Sequence, residues 1–162
     1  MTTSGRFTFT IRGDAAGKAN SRDLVTNPKT KRPMFIKSEK ARSFERIARL
    51  QIPSSAKRML SGLVRVRIRI WYASHRQDLD ESVVLDVMQA RYSKRDRKGN
   101  RKLLQRGVYL NDKQVDVKHV YRYHDPNDPR VEITVWPLGF EQAELMLDPY
   151  VAYDTTTGEV VW

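Results

Sequence analysis

The chain contains no cysteine among its 162 residues. Disulfides, thiolate zinc sites and a cysteine nucleophile are thereby excluded, and the composition fits a reducing compartment such as the cytoplasm. Histidine is scarce: His75, His119 and His124 lie too far apart in sequence to spell a zinc motif. Long apolar runs are missing too. No stretch approaches the roughly 20 apolar residues that a membrane span needs, and residues 1–11 carry no signal-peptide core. Negative charge is the last scarcity, with 19 Asp and Glu against 30 Lys and Arg, a net charge of +11.

What is present describes a globular chain. Hydrophobic residues make up 40% and charged residues 30%, enough apolar material for one domain with its own core. The charge is unevenly placed. Residues 1–106 hold 26 Lys and Arg against 9 Asp and Glu, whereas residues 107–162 hold 4 against 10. A strongly basic body is the electrostatic footprint of a protein that meets phosphates; the plain alternative is a solvated basic surface.

Periodicity places the elements. Residues 6–12 alternate Phe7, Phe9 and Ile11 with Thr8 and Thr10, as a half-buried strand does. Residues 13–37 have little periodicity and read as a long basic loop, in which Lys29, Lys31 and Arg32 can touch phosphates. Residues 38–51 read as a helix. Ser38 is its N-cap, Ala41, Phe44, Ile47, Ala48 and Leu50 form an apolar stripe, and Pro53 ends it. Residues 63–72 form the clearest strand: Val64, Val66, Ile68 and Ile70 should pack on the helices, while Arg65, Arg67 and Arg69 should lie open. Three arginines on one face repel one another unless an anion is near.

Residues 80–92 read as a second helix, capped by Asp80 or Ser82 and buried through Val83, Val84, Val87, Met88 and Ala90. Residues 93–106 form a basic segment with a turn at Lys98-Gly99-Asn100. Lys94, Lys98, Arg101 and Lys102 within it are candidate phosphate contacts, against the alternative of a solvated hairpin. Residues 115–123 and 130–136 alternate like strands and read as a hairpin with a longer loop. Tyr121 and Trp136 can stack on bases, although sheet aromatics more often serve a core. Residues 138–162 form an acidic extension with a possible short helix at 140–147. The expected fold is α+β: a small mixed β-sheet packed with two main helices, in one domain over 1–137 with a basic insertion at 91–106.

The chemistry-bearing stretch is Asp78-Leu79-Asp80, directly after the arginine strand. In extended backbone these two carboxylates point the same way, with Cα atoms roughly 6.5 Å apart. They can converge on one hard cation, and an acidic spot in a basic surface suits a divalent metal facing a polyanion. The same acids, with Glu81, also suit a helix N-terminus, where anions are favoured. Both readings stand on these residues alone.

The order Asp78-Leu79-Asp80, helix, Gly107-Val108-Tyr109-Leu110-Asn111-Asp112-Lys113-Gln114-Val115, then a strand pair ending in Val131-Glu132-Ile133-Thr134-Val135, resembles the RusA family of Holliday junction resolvases. Residues 36–49 are similar to that family's first helix and its approach. The resemblance covers about residues 5–137. It implies a cytoplasmic homodimer of bacterial or phage type that nicks two strands of four-way or branched DNA symmetrically, using Mg2+ or Mn2+, in recombination and repair. Asp78, Asp80 and Asp112 match the family's catalytic, metal-binding acids. Arg65, Arg67, Arg69, Arg76 and Lys113 join the 91–106 segment as expected DNA contacts. The chain departs from the family in having Glu81 where Asn is usual, Val84 where a lysine is expected, and Gln77 where a basic residue is common. A broader flap or branch nuclease and a non-catalytic nucleic-acid-binding protein are the alternatives, and Val84 favours the latter.

Overall fold

The computed structural model describes residues 5–17, 22–75 and 80–138, together with the backbone of two short strands, β9 (Ala152–Tyr153) and β10 (Val160–Val161). The helix expected at 140–147 lies outside the described residues.

A four-stranded mixed sheet forms the frame. Its order is β1 (Phe7–Arg12), β8 (Arg130–Pro137), β4 (Val64–Tyr72), β7 (Val115–His124). β4 runs antiparallel to β8 and parallel to β7. The register brings Ile68 opposite both Ile133 and Val120, and Ile11 opposite Val131. One face of β1, β8 and β4 is therefore a continuous apolar surface, which β7 extends through Val120 but interrupts with Lys118 and Arg122. Ile11, Val66, Ile68, Ile70, Tyr72 and Ile133 on it are fully buried, each contributing roughly 1.5–3 kcal/mol through burial.

Two helices cover that face. Helix α1 (Glu39–Gln51) begins at Ser38, whose hydroxyl accepts the Ala41 N–H at 3.1 Å, and stops at Ile52 before Pro53. Ala41, Phe44 and Ala48 face the core. Helix α2 (Ser82–Met88) lies beside it and buries Val83, Val84, Val87 and Met88. Two small hairpins stand apart from the main sheet: β2 (Arg22–Thr26) with β3 (Pro33–Lys37), and β5 (Arg91–Tyr92) with β6 (Leu103–Gln105).

Several expectations change. The basic loop at 13–37 contains the β2–β3 hairpin, its turn fixed by Asn27, whose side-chain oxygen accepts the N–H groups of Lys29 and Thr30. The stripe on α1 is narrower than its spacing implied, because Ile47 and Leu50 are 49% and 81% exposed. The second helix ends at Met88, not at 92. Segment 107–109 crosses its end, with Val108 N–H on the Met88 carbonyl at 2.7 Å and Ala90 N–H on the Tyr109 carbonyl at 2.9 Å. Those bonds replace the next helical turn.

β7 and β8 are not a hairpin, for β4 lies between them. Their connection straddles the end of β4, where Asp125 N–H bonds the Tyr72 carbonyl at 3.0 Å. Nor does the arginine face of β4 lie fully open. Arg65 is only 8% exposed, and Arg67 and Arg69 are half-buried among Trp136, Tyr121 and Trp71 on that side of the sheet.

Candidate active site

The site is assembled by segment 107–114, which passes between residues 57–62 and the end of α2. Gly107 rides directly on the helix end: a Cβ there would lie 2.3 Å from the Ala90 nitrogen and 2.6 Å from the Met88 oxygen. Only glycine fits so close an approach. Val108 and Tyr109 follow, fully buried. The Tyr109 hydroxyl donates to the Leu85 carbonyl at 2.9 Å, tying the segment to the middle of α2. Burial, and secondarily the charges of Asp112 and Asp86, push its ionisation far above the usual range.

A short helical turn, Asp112–Gln114, comes next. Asn111 caps it, accepting the Lys113 N–H at 2.9 Å. Gln114 reaches back to accept the N–H groups of Leu110 and Asn111 at 3.0 and 2.9 Å. Its amide nitrogen donates to the carbonyls of Leu60 and Gly62 at 2.8 and 2.7 Å. This capping box and double anchor hold the turn against α2. Asp112 is half-buried, and its carboxylate has no hydrogen bond or ion pair among the described residues. A half-buried carboxylate left unpaired is costly, and a cation would relieve that cost.

Asp80 stands two residues ahead of α2. Its Oδ1 accepts from the backbone N–H of Ser82 at 2.9 Å and from its hydroxyl at 2.6 Å. The capping expectation is corrected: Glu81 stands at the N-cap without a side-chain capping bond, and Asp80 instead braces Ser82, the first residue of the helix. Glu81 forms an ion pair with Lys118 of β7. Lys118 was not singled out in the sequence, yet a signal was there: alternation puts it on the same face as Val120, the side that the helices cover. Val84, at the family's lysine position, is fully buried in the core.

Asp78 and Arg76 lie outside the described residues. Among the described residues, no three His, Asp or Glu side chains converge into a metal cage by themselves. The fold does bring two distant histidines together, with the rings of His75 and His124 stacked at 3.6 Å between centroids.

The expected DNA contacts divide in two. Lys94, Lys98, Arg101 and Lys102 are exposed on the β5–β6 hairpin. Its turn is shaped by Asp96, which accepts from the N–H groups of Lys98 and Asn100, and by Gly99 at φ +83°. Lys113 is exposed beside Asp112. Arg65, Arg67 and Arg69 sit instead on the far face of the sheet. There Arg67 lies 5.5 Å from the centre of the Trp136 ring, and the Arg69 Nε is buried with no partner among the described residues.

A small α+β domain that sets carboxylates before a helix and on an anchored turn, within a strongly basic chain, has the build of an endonuclease. The family model of endodeoxyribonuclease RusA matches residues 15–136, and the chain belongs to that family of Holliday junction resolvases. No curated protein matches the chain. Among the described residues, no helix is long and apolar enough to cross a membrane.

Proposed function

We propose that this protein is a divalent-metal-dependent endonuclease that resolves four-way and other branched DNA by paired nicks, acting as a homodimer. The observation that carries the reading is Asp112: a half-buried carboxylate unpaired among the described residues, on a turn fixed by four hydrogen bonds of Gln114 and packed against the helix that Asp80 precedes. The donor set fits a hard cation, since carboxylate oxygens suit Mg2+ or Mn2+. Asp80 and Asp112 would hold it, joined by Asp78. Such an ion lowers the pKa of a bound water and neutralises charge on the phosphate.

The protein's own groups do the rest. The Ser82 N–H and hydroxyl hold one oxygen of Asp80, fixing its rotamer. Tyr109 and Gln114 fix the turn that carries Asp112. Lys118, paired to Glu81, places a positive charge beside the acids, and Lys113 offers a second. With Val84 buried, these are the lysines positioned to assist at the phosphate.

The test is cleavage of a labelled four-way junction beside a matching linear duplex, with Mg2+ or with EDTA. Metal-dependent paired nicks confined to the junction are expected. Asp112→Asn should lower cleavage by at least about a hundredfold while junction binding survives. Cutting of flaps and forks at equal rates would move the assignment to a broader branch nuclease. A second reading, a binding protein without catalysis, draws on Val84 and on the local bonds of Asp80 to Ser82. It requires tight junction binding with no metal-dependent cleavage.

A further inference from the structure

Away from the acidic turn, α1 and the β5–β6 hairpin flank a groove of about 670 Å3. Arg42, Arg46 and Arg49 line it from α1, Lys37 from the end of β3, and Arg91 and Tyr92 from β5. Among the described residues, Glu45 is the one carboxylate that lines it, and that is engaged by Lys37. The guanidinium of Arg49 is tied down. It donates to the carbonyls of Asp86, Val87 and Gln89 at 2.6, 3.1 and 3.3 Å, capping the end of α2. Arg46 and Arg91 are exposed and have no acceptor among the described residues. The cations also crowd one another: after burial, the charge of Arg91 is the next cause that lowers the pKa of Arg49. Such crowding costs stability unless the groove meets an anion.

The groove has a fixed relation to Asp80, because α2 connects them. Its floor includes Gln89, just past the C-terminal end of that helix, while Asp80 precedes the N-terminal end. At 1.5 Å per residue the helix separates the two by roughly 10 Å. That is about three nucleotides of axial rise along one DNA strand. The rim is completed by Tyr92 and Leu50, 39% and 81% exposed, which can lie against sugars. Beyond β5 the positive surface continues into the exposed lysines and arginines of the hairpin turn. An extended polyanion fits this arrangement better than a single small anion does.

We propose that this groove binds the phosphodiester backbone of a DNA arm, about three nucleotides from Asp80, and so sets where the cut falls relative to the branch. The position of the cut rests on the nuclease reading above; the binding of the backbone does not.

The experiment is fluorescence anisotropy with a labelled linear duplex and a labelled four-way junction, in EDTA, across a salt titration. The proteins are wild type, the double variant R46Q/R91Q, and R6Q/R12Q as a control with the same charge change on strand β1 and the residues before it. All four arginines are exposed, and circular dichroism checks the fold. In R46Q/R91Q the slope of log affinity on log salt should fall by about two on both DNAs, with affinity down roughly tenfold or more. R6Q/R12Q should leave slope and affinity unchanged. An unchanged slope in R46Q/R91Q, or binding to wild type that a free mononucleotide abolishes, would overturn the groove. Wild type that cuts no junction, while R46Q/R91Q still loses slope on the duplex, would leave the groove standing and remove the nuclease reading. Wild type that binds neither DNA would remove both.

Discussion

At the scale of single residues, the candidate site depends on side chains that hold its turn in place. All four hydrogen-bonding capacities of Gln114 are used, and all serve to fix the turn of Asp112. The Leu110 N–H and the Leu60 carbonyl keep each other in Gln114→Leu, but the Asn111 N–H and the Gly62 carbonyl lose their bonds, so a loss of about 1–3 kcal/mol is expected in thermal unfolding, with cleavage falling further than stability predicts. Lys118 gives a sharper case. If its ammonium assists at the phosphate, Lys118→Met should cut the rate at saturating junction by roughly tenfold to a hundredfold. Lys118→Arg should recover part of it, and an unchanged rate would reduce the lysine to a surface ion pair. Asp125 supplies a pH dependence. Arg130, and then the N–H groups of Asp128 and Asn127, hold its carboxyl below the usual range. Its stabilising effect is therefore complete above about pH 4 and fades as pH falls through the lowered value. Amide exchange at Asn127 and Asp128 should accelerate in that acid window and lose the dependence in Asp125→Asn.

At the scale of elements, α2 is short because another segment stops it. Val108 and Ala90 form backbone bonds across its end, and Gly107 makes room for them. Gly107→Ala puts a methyl group inside the van der Waals contact of three backbone atoms. It should cost about 3 kcal/mol or more, lowering the melting temperature by roughly 6–12 °C; a melting temperature within a degree of wild type would contradict the close approach. The same packing explains what the sequence could and could not reveal. The strands at 7–12 and 64–72, the Ser38 cap and the burial of Val83, Val84 and Val87 follow from local periodicity, and were legible. The end of α2 was not, because residues 80–92 keep an apolar pattern that only a crossing chain interrupts. The β7–β8 separation was hidden for a similar reason. Two alternating runs joined by a turn-rich loop look the same whether or not a third strand lies between them. In the site, the turn at Asn111-Asp112 was legible from its residues, and the spacing of Asp78 and Asp80 drew attention to that pair; Asp112 as a candidate acid came only through the family resemblance. Lys118 and the groove of Arg46 and Arg91 were not legible, since each joins elements distant in sequence.

At the scale of the whole molecule, the proposed task demands more than one chain supplies. Each chain offers one acidic turn, whereas resolving a four-way junction takes two cuts placed symmetrically across it. A two-fold dimer supplies two equivalent sites at a fixed separation, so light scattering should give a mass near twice the 18.9 kDa chain. Stoichiometry of cutting tests the idea more directly. When wild type is mixed and re-equilibrated with Asp112→Asn, a dimer cuts both strands only if both of its subunits are wild type. Fully resolved duplexes should then fall as the square of the wild-type fraction, and junctions nicked once should accumulate as the mixed dimers form. A linear fall, with no nicked intermediate, would mean that one subunit completes both cuts without releasing the junction. In that case the basic surface, with its groove a few nucleotides from the acids, would have to hold the junction through both reactions without a partner.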